Sequence, residues 1–248
     1  MPDLTYQQML WIGVAILAAY VVRGMSGFGA GLVAAPLLAF VLPVHVIVPT
    51  TGLLVFILFI FLTLRDRHDV IWRELKLLAP PTIAGVVAGL FLFKLLDNQL
   101  LLILLGVFLI LYAAYMLAVH AFGLPEFKCS ERWAIPLGFG GSFFDTLFGG
   151  GGGTLVVIYM HARGIGRMEL RATLAMLWFF EMIARIAGYG IAGFYTREVL
   201  ILVAALLPIV WIGTWIGEHL GNRVSPAAFQ RILAAVLMLS GLSLFFKA

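Results

Sequence analysis

Four ionisable residues stand inside stretches that are otherwise apolar: Arg23, Asp145, Glu181 and Arg185. A charge deep in hydrocarbon costs about 2.5–3.5 kcal/mol or more, so such residues usually mark a solute or ion path. Glu181 and Arg185 are spaced i,i+4, in the favourable order for a helical ion pair. Arg23 and Asp145 each stand just before a glycine-rich break and align with one another across 122 residues. A guanidinium group offers counter-charge to an anion. A carboxyl group removed from water holds its proton more tightly and can carry it. Arg23 or Arg185 is therefore the candidate anion counter-charge, and Asp145 or Glu181 the candidate for proton coupling. Alternatively the four form structural ion pairs. Their charges sum to zero, so by themselves they do not favour an anion.

What favours an anion is the pair of breaks, Gly24–Gly31 and Thr146–Gly153. At membrane depth, non-helical backbone survives only where it is buried in protein or lines an aqueous cavity. Helices starting after Gly31 and Gly153 would aim free N–H groups and positive dipole ends at the midplane, a cradle for a small anion. The candidate binding residues are Arg23, Ser26, Gly27, Gly29 and Gly31 from the first break and Gly149, Gly151 and Gly153 from the second. Arg185 joins them, as do Thr51 and Thr173, which align across the chain. A threonine back-bonding to its own helix is equally in keeping with those two positions. Gly85-x3-Gly89 and Gly213-x3-Gly217 read as helix-packing seams.

The elements that must hold these residues are membrane spans. The 248-residue chain is 63% hydrophobic and 11% charged, against roughly 25% charged in a soluble domain. Its solvent must be lipid, and a span needs roughly 20 apolar residues. Apolar runs lie near 5–22, 28–42, 46–64, 75–95 and 99–121, then near 133–144, 150–162, 172–194, 199–220 and 227–246. None alternates with period two, which disfavours a β-barrel. The start reads as a retained first segment and not a signal peptide.

Pro80-x4-Gly85-x3-Gly89 matches Pro208-x4-Gly213-x3-Gly217. With the matching breaks, this indicates two repeats, 1–124 and 125–248, each a glycine-broken helical hairpin followed by three transmembrane helices. An odd number of crossings per repeat inverts the second against the first. With the Arg65–Lys76 loop inside, eleven of the sixteen Lys and Arg fall on the cytoplasmic side, three fall outside and two lie within the membrane. The positive-inside rule is then met with both termini outside. The expected fold is an all-α polytopic membrane protein with inverted repeats, in the inner or plasma membrane.

Other chemistries fit poorly. The single Cys129 excludes intramolecular disulfides and cysteine metal clusters. His45, His68, His120, His161 and His219 show no ligand spacing, so no metal and no other cofactor is expected. Gly29-x-Gly31-x-x-Ala34 lacks the strand and acidic partner of a dinucleotide site, and Gly149–Thr154 lacks the lysine of a phosphate loop. Ser26 and His161 would have to meet on facing helices to form a protease dyad, yet they belong to different ends of the two repeats. The basic balance sits in short loops, where topology explains it, and no nucleic acid partner is expected. An enzyme is disfavoured. A passive small-solute channel stays open as an alternative.

At the breaks the chain resembles the TauE/SafE family of sulfite exporters, which repeats a G-x-G-G-G-x4-P-L-L motif in its two halves. The first copy here is Gly27-Phe28-Gly29-Ala30-Gly31, then Pro36-Leu37-Leu38 after four residues. The second is Gly149 to Gly153 followed by Thr154-Leu155-Val156-Val157-Ile158. Ala30 replaces one glycine, and Ile158 replaces the proline of copy two. The resemblance implies a secondary transporter of sulfite, sulfonates or related small sulfur oxyanions, commonly exporting. The expected partners are such an anionic solute and the lipid bilayer, and a homodimer is allowed.

Overall fold

In lipid the backbone must satisfy its own hydrogen bonds, so each apolar run becomes a helix. The computed structural model describes residues 5–26, 29–65, 69–122, 129–221 and 226–245. Ten α-helices lie among them: α1 (Tyr6–Ser26), α2 (Ala30–Ala39), α3 (Val44–Arg65), α4 (Trp72–Leu95), α5 (Asn98–Phe122), α6 (Ala134–Phe148), α7 (Gly153–Ala162), α8 (Arg167–Ile191), α9 (Arg197–Gly221) and α10 (Pro226–Phe245). No strand is found among the described residues. Gly27, Phe28, Arg67, His68, Lys128, Arg223 and Lys247 lie outside them, as do the side chains of Ser26, Arg65, His120 and Arg231.

Among the described residues, five helices are long and apolar enough to cross a membrane: α1, α4, α5, α8 and α9. The second break behaves as expected. Its flanking helices have 15 and 10 residues, or about 22 and 15 Å at 1.5 Å per residue, against roughly 30 Å of hydrocarbon. The first break differs, because α1 has 21 residues and only α2, with 10, is short. The two hairpins are matched in kind but not in arm length.

Lipid tails compete with apolar side chains, so helix association leans on close backbone approach. That is how the two glycine pairs act. A Cβ on Gly85 would strike the Phe139 carbonyl of α6, and one on Gly217 would strike the Val21 carbonyl and lie 2.8 Å from Gly24 Cα of α1. Hence α6 lies along α4 and α1 along α9, while α3 pairs with α8 and α5 with α10. Exchanging α1–α5 for α6–α10 leaves these four pairings unchanged. Gly85→Val drives a branched side chain into the α6 backbone. It is expected to destabilise by about 1–3 kcal/mol or more, read as a lower thermal-unfolding midpoint in detergent; an unchanged midpoint would refute so tight a seam.

Two polar clusters mark the ends of the bundle. At one, Tyr159 Oη donates to Glu74 Oε2 at 2.7 Å, and Arg163 reaches Glu74 and Glu131 at 3.2 and 3.1 Å. Arg73 completes the cluster on Glu131 at 2.6 Å. Cys129 lies beside it with Sγ 3.7 Å from the Tyr159 carbonyl. Burial pushes that thiol's pKa up, away from nucleophilic use. At the other end, Val44 N–H donates to Asn98 Oδ1 at 2.7 Å, and a His45 ring nitrogen is 3.0 Å from the Phe93 carbonyl. Trp11 Nε1 donates to the Leu37 carbonyl where α2 finishes. Helix α1 thus starts at the His45 end, and α6, entered through the 3₁₀ turn Glu131–Trp133, starts at the Glu74 end.

Candidate functional site

The two breaks meet. A Cβ on Gly31 would collide with the carbonyl of Gly149 and the nitrogen of Gly150, so these backbones lie directly against one another. Each chain reversal uses left-handed backbone, with φ of 86° at Gly29 and 79° at Gly149, where any other residue is strained. Beside this contact is a cavity of about 70 Å³. A water needs roughly 10–15 Å³ on such a measure, so there is room for several waters or a small oxyanion.

Seven glycine-rich positions of the breaks, Gly29 to Gly31 and Gly149, Gly150, Gly151 and Gly153 (Ala30 among the first three), form one wall. Val55 and Phe59 of α3 and Trp178 and Met182 of α8 form an apolar wall, and Arg23, Asp145 and Arg185 supply the charge. Arg23, in the last turn of α1, is 5% exposed, and its guanidinium sits 5.3 Å over the Phe59 ring. Its Nη2 is buried with no hydrogen-bond partner among the described residues. Arg185 is 1% exposed. Its Nη1 lies 3.6 Å from Glu181 Oε1, while Nε and Nη2 have no hydrogen-bond partner among the described residues. Two desolvated cations therefore keep unused donors beside the cavity, and such groups are costly until something accepts from them.

The helix ends depart from the symmetric expectation. Helix α2 follows its N-cap Gly29 with no capping side chain among the described residues, which leaves the amides of its first turn open to an anion. Helix α7 is already occupied: Asp145 Oδ1 accepts the Gly152 N–H at 2.8 Å. A carboxylate of the chain itself sits where a solute anion was expected.

Of the residues singled out in the sequence, Arg23, Gly29, Gly31, Asp145, Gly149, Gly151, Gly153 and Arg185 line the cavity. Gly27 and the Ser26 side chain lie outside the described residues. Glu181, 2% exposed, stands behind Arg185 and not on the wall. Thr51 and Thr173 do not line the cavity, although Thr51 Oγ1 lies against the second break, 3.1 Å from where a Cβ on Gly149 would sit. The Thr51 hydroxyl back-bonds to the Ile47 and Val48 carbonyls at 2.9 and 3.1 Å, because a threonine inside a helix has those acceptors in reach. Thr173 Oγ1 accepts from Ile71 N–H at 2.9 Å, tying α8 to the start of α4. No group of three or more His, Cys, Asp or Glu able to hold a metal lies among the described residues. Sequence reasoning missed the apolar wall of Phe59, Trp178 and Met182, although Trp178, Met182 and Arg185 share one face of α8 at i, i+4 and i+7.

Apolar helices interrupted twice around an internal charged cavity define a polytopic α-helical membrane protein with a buried site. The sequence matches the family described as sulfite exporter TauE/SafE over residues 11–244, and the chain belongs to that family, whose members are membrane transporters and not enzymes. It is also similar to the probable inner membrane transporter protein TsaS of Comamonas testosteroni, at 29% identity over 181 residues, 71% of this chain and 73% of that protein. No solved structure matches the chain.

Proposed function

We propose that this protein moves a small sulfur oxyanion, such as sulfite or a sulfonate, across the inner membrane, commonly outward, by alternating access around the cavity between the breaks. One observation carries this reading: two buried guanidinium groups with unused donors flank the uncapped N-terminus of α2. An oxyanion accepts from both kinds of donor at once. Family membership supports transport of such an anion, and the likeness to TsaS supports a transporter of the inner membrane. The unchanged helix pairing on exchange of halves, and the opposite starting ends of α1 and α6, support inverted repeats at 1–124 and 125–248 with both termini outside. Arg23, Arg185 and the backbone of Gly29 and Gly31 bind the anion, with Gly149, Gly151 and Gly153 shaping the opposite wall.

Counterflow of labelled sulfite into proteoliposomes preloaded with sulfite tests this. Wild-type flux is expected to saturate, whereas a passive pore would not. Arg23→Ala and Arg185→Ala each remove a charge-assisted contact of about 1.5–3 kcal/mol, so apparent affinity should fall roughly tenfold or more. Unchanged transport in both variants would overturn the assignment.

A further inference from the structure

We propose that Glu181 is the carboxylate an entering anion displaces from Arg185, taking up a proton as it is released, and that Asp145 is a positioning residue that fills the N-terminus of α7. This rests on the anion-transport reading above. The two carboxylates are equivalent in the sequence and differ in the structure. Asp145 is held by backbone: its Oδ1 accepts from Gly152 N–H at 2.8 Å, and its side chain lies against Gly153. Moving it would uncap a ten-residue helix whose first turn has no other side-chain cap.

Glu181 is held by side chains alone, the Arg185 guanidinium and the Ser142 hydroxyl, with no backbone donor acting on it among the described residues. Its Oε1 has no hydrogen-bond partner and stands 3.6 Å from Arg185 Nη1, well beyond the roughly 2.7–2.9 Å of a charge-assisted hydrogen bond. It faces Asp145 and the Ser142 hydroxyl of α6 and Arg185 on its own helix; among the described residues no titratable group of α3, α4 or α7 acts on it. Arg185 in turn reaches the cavity wall with two unused donors.

With Arg23, Arg185, Asp145 and Glu181 all ionised, the buried charge is zero. A monoanion on Arg185 makes it −1, a net charge that low dielectric penalises strongly. A proton that enters with the anion from the aqueous side and binds the Glu181 carboxylate restores neutrality, and it leaves to the opposite aqueous side with the anion when Glu181 returns to Arg185. One proton accompanies each single negative charge.

Two fluxes of labelled sulfite in the same proteoliposomes test this: counterflow without a pH difference, and uphill accumulation driven by one. Sulfite's own protonation is common to every variant, so ratios of the two fluxes are compared. Glu181→Gln is expected to lower the ratio of driven accumulation to counterflow by about tenfold or more, within the roughly 5–150-fold span of couplings between two ligands. Asp145→Asn is expected to slow both fluxes together and leave the ratio at the wild-type value. A wild-type ratio in Glu181→Gln, or a collapsed ratio in Asp145→Asn, would overturn the proposal. Wild-type counterflow with no response to the pH difference would overturn it while leaving anion transport standing; no counterflow at all would remove both. A measurement on the unaltered protein guards against a misfolded variant. A hydrophobic carbodiimide, which attacks protonated carboxyl groups, should modify Glu181 faster when sulfite is present. Modification of Asp145 instead would count against the assignment.

Discussion

Gly31→Val is expected to abolish transport, with counterflow falling about 100-fold or more. Its side chain would have to occupy the space of the Gly149 carbonyl and the Gly150 nitrogen. The obstacle is backbone, so no rotamer change relieves it, and the two breaks must separate by more than about 1 Å to relieve a 1.7 Å approach to the Gly149 oxygen. Misplacing groups that act together on a solute by about 1 Å can cost roughly 100-fold. Here the misplacement acts on the uncapped start of α2, which holds the candidate amides, and on the turn leading into α7. Gly52→Ala is the matched control. Gly52 is a buried helical glycine of α3 with no atom within 4 Å of an added Cβ, and alanine favours a helix by about 1 kcal/mol over glycine. Counterflow should survive in Gly52→Ala and vanish in Gly31→Val, with both recovered as monodisperse protein in detergent. Equal activity in the two would refute direct contact between the breaks.

The same contact explains which features were legible in the sequence. Runs of apolar residues ended by Arg, Lys, Gly or Pro announce helices in lipid, so all ten helices fall close to their expected ranges. Charges stranded in such runs announce a site, and Arg23, Asp145 and Arg185 do line one. The unequal hairpin arms were hidden because hydropathy does not say where a helix is interrupted. Aligning Arg23 with Asp145 suggested that the two breaks do the same thing, yet the side chains divide the work. An aspartate is short enough to turn back onto Gly152 once Gly149 and Gly151 adopt left-handed backbone. Arginine at the matching place can only donate. Phe59 and Trp178 carried no signal, since aromatic residues are ordinary on any apolar helix and only their three-dimensional meeting makes a wall. Thr173 misled for a related reason: its match to Thr51 is real in the alignment, but each hydroxyl answers to whichever backbone group is nearest.

Arg185 separates stability from binding most sharply. It is 1% exposed, with Glu181 at 2% and Asp145 at 7% nearby. Arg185→Met keeps much of the volume and removes the cation, leaving two buried carboxylates short of counter-charge. Breaking a buried pair by deleting one partner costs about 3–5 kcal/mol. Arg185→Met is therefore expected to unfold at a clearly lower temperature than wild type, followed through the fluorescence of Trp178 and the other tryptophans, and to show no counterflow. Adding Glu181→Gln to it deletes one orphaned charge, and the double variant should regain a large part of the lost stability while staying inactive. That non-additivity is the signature of direct coupling. Arg185→Lys makes the complementary change. It keeps the charge but not the planar fork of donors that suits an oxyanion, so its stability should stay near wild type while half-saturating sulfite rises about tenfold. If the double variant is no more stable than Arg185→Met, Glu181 does not depend on Arg185. If lysine transports with wild-type affinity, the anion meets a point charge there and not a pair of directed N–H groups.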